Sequence, residues 1–136
     1  KSGYAGYYFH LGATGDDWSG HHFMSSGLYK PLPAVVKSVR DDILYDAAPY
    51  LNAIALAEGF RIEEEECLKR VPLGYPPDSP YELLFRLRNF LLSRSMNNTY
   101  VFDKNLLKNV LSDFKKTHIF VALLNRSVSY ANTSTY

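Results

Sequence analysis

The segment GYYFHLGATGDDWSGHHFMSSGLYKPLPAVVKSVRDDI, residues 6–43, decides the fold class of this chain. Residues 6–12 are a short aromatic run typical of a strand, and residues 23–29 predict a second strand. The glycine and aspartate residues at positions 12–20 predict a long loop between them. We therefore expect a β-hairpin with a long tip.

Helical sequence follows the hairpin. Pro31 and Pro33 end the second predicted strand and open a helix. Apolar residues then recur at steps of three and four, which predicts a buried helix face made of Leu32, Val35, Val36, Val39 and Ile43. Asp46 predicts the N-cap of a second helix over residues 47–58, with Gly59 at its C-terminal end.

Short strands and irregular segments alternate in the middle of the chain. Strand-like composition predicts further strands at residues 60–62, 68–71 and 89–95. The four glutamates at residues 63–66 predict a solvated turn, because adjacent acids repel one another and point in divergent directions. The prolines between residues 72 and 80 predict an irregular segment that leads into a short helix over residues 81–87.

The last predicted element is one long closing helix. It begins after Asp103, a predicted N-cap, and its buried stripe is made of Leu107, Val110, Leu111, Phe114, Val121, Leu124 and Val128. The elements together predict an α+β fold. We expect a small, mainly antiparallel sheet with helices packed on one face and a long C-terminal helix.

Composition indicates a single soluble domain over residues 1–136. The chain is 46% hydrophobic and 15% aromatic, which is enough for a packed core. Cys67 is the only cysteine, so an intrachain disulfide is excluded and a reducing, cytoplasmic location is expected. No apolar run approaches the roughly 18 residues that a membrane span requires, and no signal-peptide pattern opens the chain.

Charge is unevenly distributed, although the formal net charge is only +1. Residues 41–66 hold eight acids against Arg61 alone, whereas the segment CLKRVPLGYPPDSPYELLFRLRNFLLSRS, residues 67–95, is basic. Consecutive elements of this segment, joined by proline-fixed turns, supply the candidate anion-binding residues Lys69, Arg70, Tyr75, Arg86, Arg88 and Arg94. The alternative is that these cations are solvated and pair with the acidic middle. Tyr75 either stacks on a ligand or fills the core.

The histidines near the predicted hairpin are candidate metal ligands. His10, His21 and His22 lie close in sequence to Asp16 and Asp17. A zinc site needs three or four converging ligands, and adjacent histidines in a strand point to opposite faces. We therefore predict no metal site and expect His21 and His22 to be exposed loop residues. His10 is a further candidate site residue, with a hydrogen-bonded structural histidine as the alternative.

Several motifs together resemble a known family. They are GYYFHL at residues 6–11, GLYKP at 27–31, LKRVPLGYPPDSP at 68–80 and ELLFRLRNF at 82–90, followed by LLNRSV near the end. In this order they resemble the conserved hypothetical family called domain of unknown function 2461. The resemblance implies no assigned activity. It also implies that this chain is the C-terminal portion of a longer member, whose N-terminal part would cover an apolar patch here that otherwise invites self-association.

Two functional hypotheses follow, because no complete catalytic or cofactor motif is present and both enzymatic activity and cofactor stay unassigned. In the first, the basic segment forms a pocket for a phosphate- or carboxylate-bearing ligand. In the second, the chain is a protein or nucleic-acid interaction module without catalysis. A net charge of +1 disfavours a surface that binds nucleic acid over its whole extent.

Overall fold

The computed structural model describes residues 3–12 and 21–133, and within them the chain forms a four-stranded antiparallel sheet with helices. The strands lie in the order β1-β2-β4-β3. Their bounds are Gly6–His10 for β1, His22–Leu28 for β2, Arg61–Ile62 for β3 and Phe90–Met96 for β4. The α+β prediction is confirmed, as is the hairpin of β1 and β2. Most of its predicted loop, residues 13–20, lies outside the described residues.

Six helices accompany the sheet in the described ranges: α1 Pro33–Tyr45, α2 Ala48–Leu56, α3 Leu83–Arg86, α4 Asn98–Val101, α5 Leu106–Lys115 and α6 His118–Thr133. The last of them is a long C-terminal helix, as predicted, although it begins only at His118. None of the helices in the described part of the chain combines the length and the apolar character that a bilayer crossing demands.

The register of the central strands separates two faces of the sheet. β2 and β4 pair along seven residues, from His22 opposite Met96 to Leu28 opposite Phe90. Opposed residues lie on the same face, so the covered face carries the buried residues His22, Met24, Ser26, Leu28, Phe90, Leu92 and Met96. The other face, here called the open face, carries Tyr8, His10, Phe23, Ser25, Leu91 and Ser93.

The core lies between the covered face and the helices. α1 packs against α6, and α6 contacts β2. Val39 of α1 and Leu124 of α6 are fully buried. The remaining stripe of α1 is formed by Val35 and Ile43, as predicted. Leu32 is the exception, because it precedes the helix as its N-cap and is 73% exposed.

The predicted closing helix is two helices instead of one. Thr117, which is fully buried, donates its hydroxyl to the carbonyl of Phe114 at 2.8 Å, and its Oγ1 forms a hydroxyl–hydroxyl hydrogen bond with Ser26 Oγ of β2 at 2.7 Å. These bonds anchor the break between α5 and α6 to the sheet. Only part of the predicted stripe is kept in α5: Val110 and Phe114 pack against the core, whereas Leu107 and Leu111 are 72% and 55% exposed.

Two smaller predictions also need correction. Residues 68–71 were predicted as a strand, but they are irregular, and no strand partner lies beside them in the described structure. The Leu68 amide donates instead to the carbonyl of Arg86. Asp46 ends α1 instead of capping α2, whose N-cap is Ala47. The Asp46 carboxylate still accepts a bond from the amide of Ala48 at 3.2 Å.

Gly27 is required where β2 meets β4. Its φ is +137°, and a Cβ at this position would lie 1.9 Å from the carbonyl oxygen of Phe90. We predict that Gly27→Ala lowers the free energy of unfolding by about 3 kcal/mol or more, because β2 and β4 must move apart to remove the clash with the Phe90 carbonyl. Urea denaturation measures this loss. Gly6→Ala is the control, since its Cβ meets side-chain atoms no closer than 3.5 Å. Equal losses for the two variants would contradict the prediction.

Candidate functional site

Two residues with strained backbone lie together at one end of the central strands. Lys30 has φ +48° and Glu66 has φ +64°, and they are the non-glycine residues with positive φ in the described ranges. Residues other than glycine rarely adopt this left-handed backbone conformation, because it costs about 1–2 kcal/mol for each residue. Such strain persists only where the surrounding structure imposes it, and it is concentrated at functional sites.

Asn89 holds both strained residues. It is 5% exposed and immediately precedes β4. Its Oδ1 accepts a hydrogen bond from the amide of Lys30 at 2.7 Å, and its Nδ2 donates to Glu66 Oε2 at 3.5 Å. Since Leu28 lies opposite Phe90, the strand register brings Lys30 beside Asn89. The pairing of β2 with β4 therefore places the Lys30 amide on Asn89, and Glu66 approaches the same side chain from the turn after β3.

A cavity of about 450 Å³ opens beside this junction, and we call it the basic pocket. Its charged and polar lining consists of Lys30, Arg40, Glu66, Arg88 and Asn89. Three cations thus face a single carboxylate. Lys30 follows β2, Arg40 comes from α1, and Arg88 lies in the turn between α3 and β4.

Arg40 is the most unusual of these cations. Its Nη2 donates to the carbonyl of Leu87 at 2.9 Å, but its Nε is buried and has no hydrogen-bond partner in the described structure. Burial lowers the pKa of the Arg40 guanidinium, nearby Tyr75 opposes that shift, and the positive charge of Arg88 lowers the pKa further. An arginine stays charged in proteins, so a buried N–H donor without an acceptor costs free energy here.

Two of the six residues predicted from the basic segment are held by carboxylates. Arg86 forms a two-point ion pair with Glu82, with N–O distances of 2.7 and 3.1 Å, and also donates to the carbonyl of Leu68 at 3.1 Å. Arg94 pairs with Asp113 at 2.7 Å and lies 5.3 Å from the ring centroid of Tyr100. These contacts tie elements of the fold to one another.

The other four predicted residues lie in three different surroundings: Arg88 at the basic pocket, Lys69 and Arg70 on the surface, and Tyr75 against Phe85. Arg88 is exposed and lines the basic pocket. Lys69 and Arg70 are exposed and do not line the basic pocket. Tyr75 stacks on Phe85 at 5.2 Å between ring centroids and donates its hydroxyl to Asp41 Oδ1 at 2.6 Å. Burial and then the Asp41 carboxylate raise the pKa of Tyr75 to about 12.

Lys30 and Arg40 were not predicted from the sequence. Arg40 lies four residues after Val36, so the helical repeat places it at the edge of the apolar face, and this signal was available. Lys30 offered no comparable signal. Its backbone conformation depends on Asn89, which lies 59 positions away in the chain.

The histidines near the hairpin do not converge. His22 is 5% exposed and bonded on both ring nitrogens, to the amide of Gly12 at 3.0 Å and to Asn98 Oδ1 at 2.7 Å, so the expectation of an exposed loop residue was wrong. His10 stacks on Phe23, with 4.8 Å between ring centroids. Asp16 and Asp17 lie outside the described residues. Among residues 3–12 and 21–133, no group of three or more His, Cys, Asp or Glu side chains is arranged to hold a metal ion.

Comparison with known protein families identifies a match over most of the chain. The family described as Conserved hypothetical protein (DUF2461) matches residues 1–122 of the 136. No curated protein and no solved structure matches the chain. Since the family match covers most of the sequence, the chain belongs to the DUF2461 family of conserved hypothetical proteins.

Proposed function

We propose that this protein binds a phosphate- or carboxylate-bearing ligand in the basic pocket. The observation that carries the proposal is that three cations, Lys30, Arg40 and Arg88, line one cavity whose lining contains a single carboxylate. A guanidinium presents its N–H groups in a planar fork that matches the oxygens of phosphate and carboxylate. Anionic oxygens in the pocket would offset the positive charges of the three cations that line it.

The charges around Arg40 favour the same class of ligand. Lys30 and Arg88 line the pocket with it, and Arg88 forms no ion pair in the described part of the chain. Like charges held close together repel one another, and a bound anion offsets that repulsion. Glu66 bonds weakly to Asn89 at 3.5 Å and is the one carboxylate in the lining.

Arg88 offers a direct test, because it is exposed and its replacement leaves the core intact. We expect Arg88→Gln to weaken the binding of inorganic phosphate about fivefold, the effect of one exposed charge. Amide chemical shifts followed by NMR during a phosphate titration at constant ionic strength measure the affinity. The shifts should saturate at residues around Lys30 and Asn89.

Arg70→Gln is the matched control for this titration. Arg70 is also exposed and carries the same charge, but it does not line the pocket. The control variant should bind phosphate as the unchanged chain does. The absence of saturable shifts near the pocket, or equal weakening by the two variants, would refute the proposed site.

Two substitutions of Lys30 test its role in phosphate binding and its strained backbone separately. We expect Lys30→Gly and Lys30→Ala to weaken phosphate binding equally, since both remove the ammonium. The glycine variant should be more stable than the alanine variant by about 1 kcal/mol, because only glycine adopts φ +48° without strain. Both variants lose the contact of the Lys30 ammonium with the Tyr29 ring, 5.3 Å away, so this loss cancels in the comparison.

Lys108 supplies the control for the pair. It lies inside α5 and is exposed, so alanine should be more stable there than glycine by about 1 kcal/mol, the reverse of the order at residue 30. Neither change at Lys108 should alter phosphate affinity. Urea denaturation gives the stabilities. Alanine more stable than glycine at residue 30 would contradict the assigned backbone strain.

We propose an interaction surface as a second candidate function. Phe102, Leu107 and Leu111 are 74%, 72% and 55% exposed, which is unusual for large apolar side chains close together in sequence. This exposure favours the self-association expected from the sequence. Nucleic-acid binding is less favoured, because Arg86 and Arg94 are already held by Glu82 and Asp113. Sedimentation of the chain and of Leu107→Glu distinguishes a self-associating protein from a monomer.

Two further expectations stay as proposals. The cytoplasmic location rests on Cys67 being a free thiol. The proposal that residues 1–136 form a domain of a longer member rests on the resemblance alone.

A further inference from the structure

The open face of the sheet forms one wall of a second cavity, of about 490 Å³, which we call the sheet-face groove. Tyr8, His10 and Phe23 line it from the sheet, and Tyr29 lines it from the end of β2. Tyr8 and Phe23 are 43% and 41% exposed, and His10 is stacked on Phe23. The groove thus presents a row of aromatic rings to solvent.

The charge of this groove is opposite to that of the basic pocket. The turn after β3 contributes Glu63, Glu65 and Glu66 to the lining, and the described lining contains no lysine or arginine. Lys30 and Arg61 lie nearby, but neither forms an ion pair with these glutamates in the described structure. The Glu65 carboxylate has no hydrogen-bond or ion-pair partner within the described ranges.

Aromatic faces and free carboxylates together recognise organic cations. The ring quadrupole attracts a positive charge placed over its face, and carboxylates add direct attraction in a site that is partly shielded from water. The groove has the dimensions of a small-molecule site. We infer that the sheet-face groove binds a small organic ammonium ion that carries an apolar or aromatic group.

This inference is independent of the anion-binding proposal. The two cavities share Glu66 and Asn89 as a common wall, but they select opposite charges. A probe for one of them therefore leaves the other untested. Failure of phosphate binding would not count against the groove, and the reverse also holds.

Benzylammonium and benzyl alcohol are matched probes for the groove, because they differ in charge and little in shape. We expect an NMR titration of the chain with benzylammonium to give saturable shifts at residues 23–25 and 91–93. Its affinity should exceed that of benzyl alcohol by about fivefold or more, because several carboxylates act on the cation. Equal affinities would mean that the groove is only an apolar patch and would overturn the inference.

Two neighbouring glutamates provide the matched variants. Glu65→Gln should weaken benzylammonium binding about two- to fivefold, the effect of one exposed charge pair. Glu64→Gln removes the same charge one residue away, from a side chain that does not line the groove, and should leave binding unchanged. Equal weakening by both variants, or the absence of saturable shifts at the sheet, would overturn the inference.

Discussion

The side-chain amide of Asn89 is the contact on which both cavities depend. Asn89 immediately precedes β4. Its side chain joins Lys30, which follows β2, to Glu66, which lies in the turn after β3. Because Asn89 is buried, its carbonyl and amide groups require partners, and the amide of Lys30 and the carboxylate of Glu66 supply them. The register of β2 and β4 brings these groups together, and Gly27 permits that register by allowing Phe90 to approach closely.

The consequence is a division of charge across one shared wall. On one side of Asn89 and Glu66 lie three cations around a buried donor that has no acceptor in the described structure. On the other side lie aromatic rings and glutamates. The net charge of +1 conceals this arrangement, because it sums 15 lysines and arginines against 14 aspartates and glutamates over the whole chain. Membership of DUF2461 assigns no chemistry, so the functional argument rests on these contacts.

Local patterns in the sequence predicted much of the fold. Aromatic runs marked β1 and β2, and the repeat of Val35, Val39 and Ile43 marked α1. The division between α5 and α6 could not be predicted in this way. It depends on the bond from Thr117 to Ser26, which joins positions 91 residues apart and leaves no mark on the helical repeat. Residues 68–71 were assigned to a strand on composition, although no strand lies beside them in the described structure.

The site was predicted less completely, for the same reason. Counting cations identified a basic segment, but it could not reveal that Glu82 and Asp113 already bind Arg86 and Arg94. Arg88 is the predicted cation that lines the basic pocket. Its partners Lys30 and Arg40 come from distant segments, and the features that distinguish them are a backbone angle and an unpaired buried atom. Both features exist only after the chain has folded.

A crystal structure of the chain grown with inorganic phosphate tests directly whether the basic pocket binds an anion. The phosphate should lie in the basic pocket beside Lys30, Arg40 and Arg88, with Lys30 and Glu66 still in the left-handed conformation and still bonded to Asn89. An empty basic pocket at saturating phosphate would contradict the proposed site.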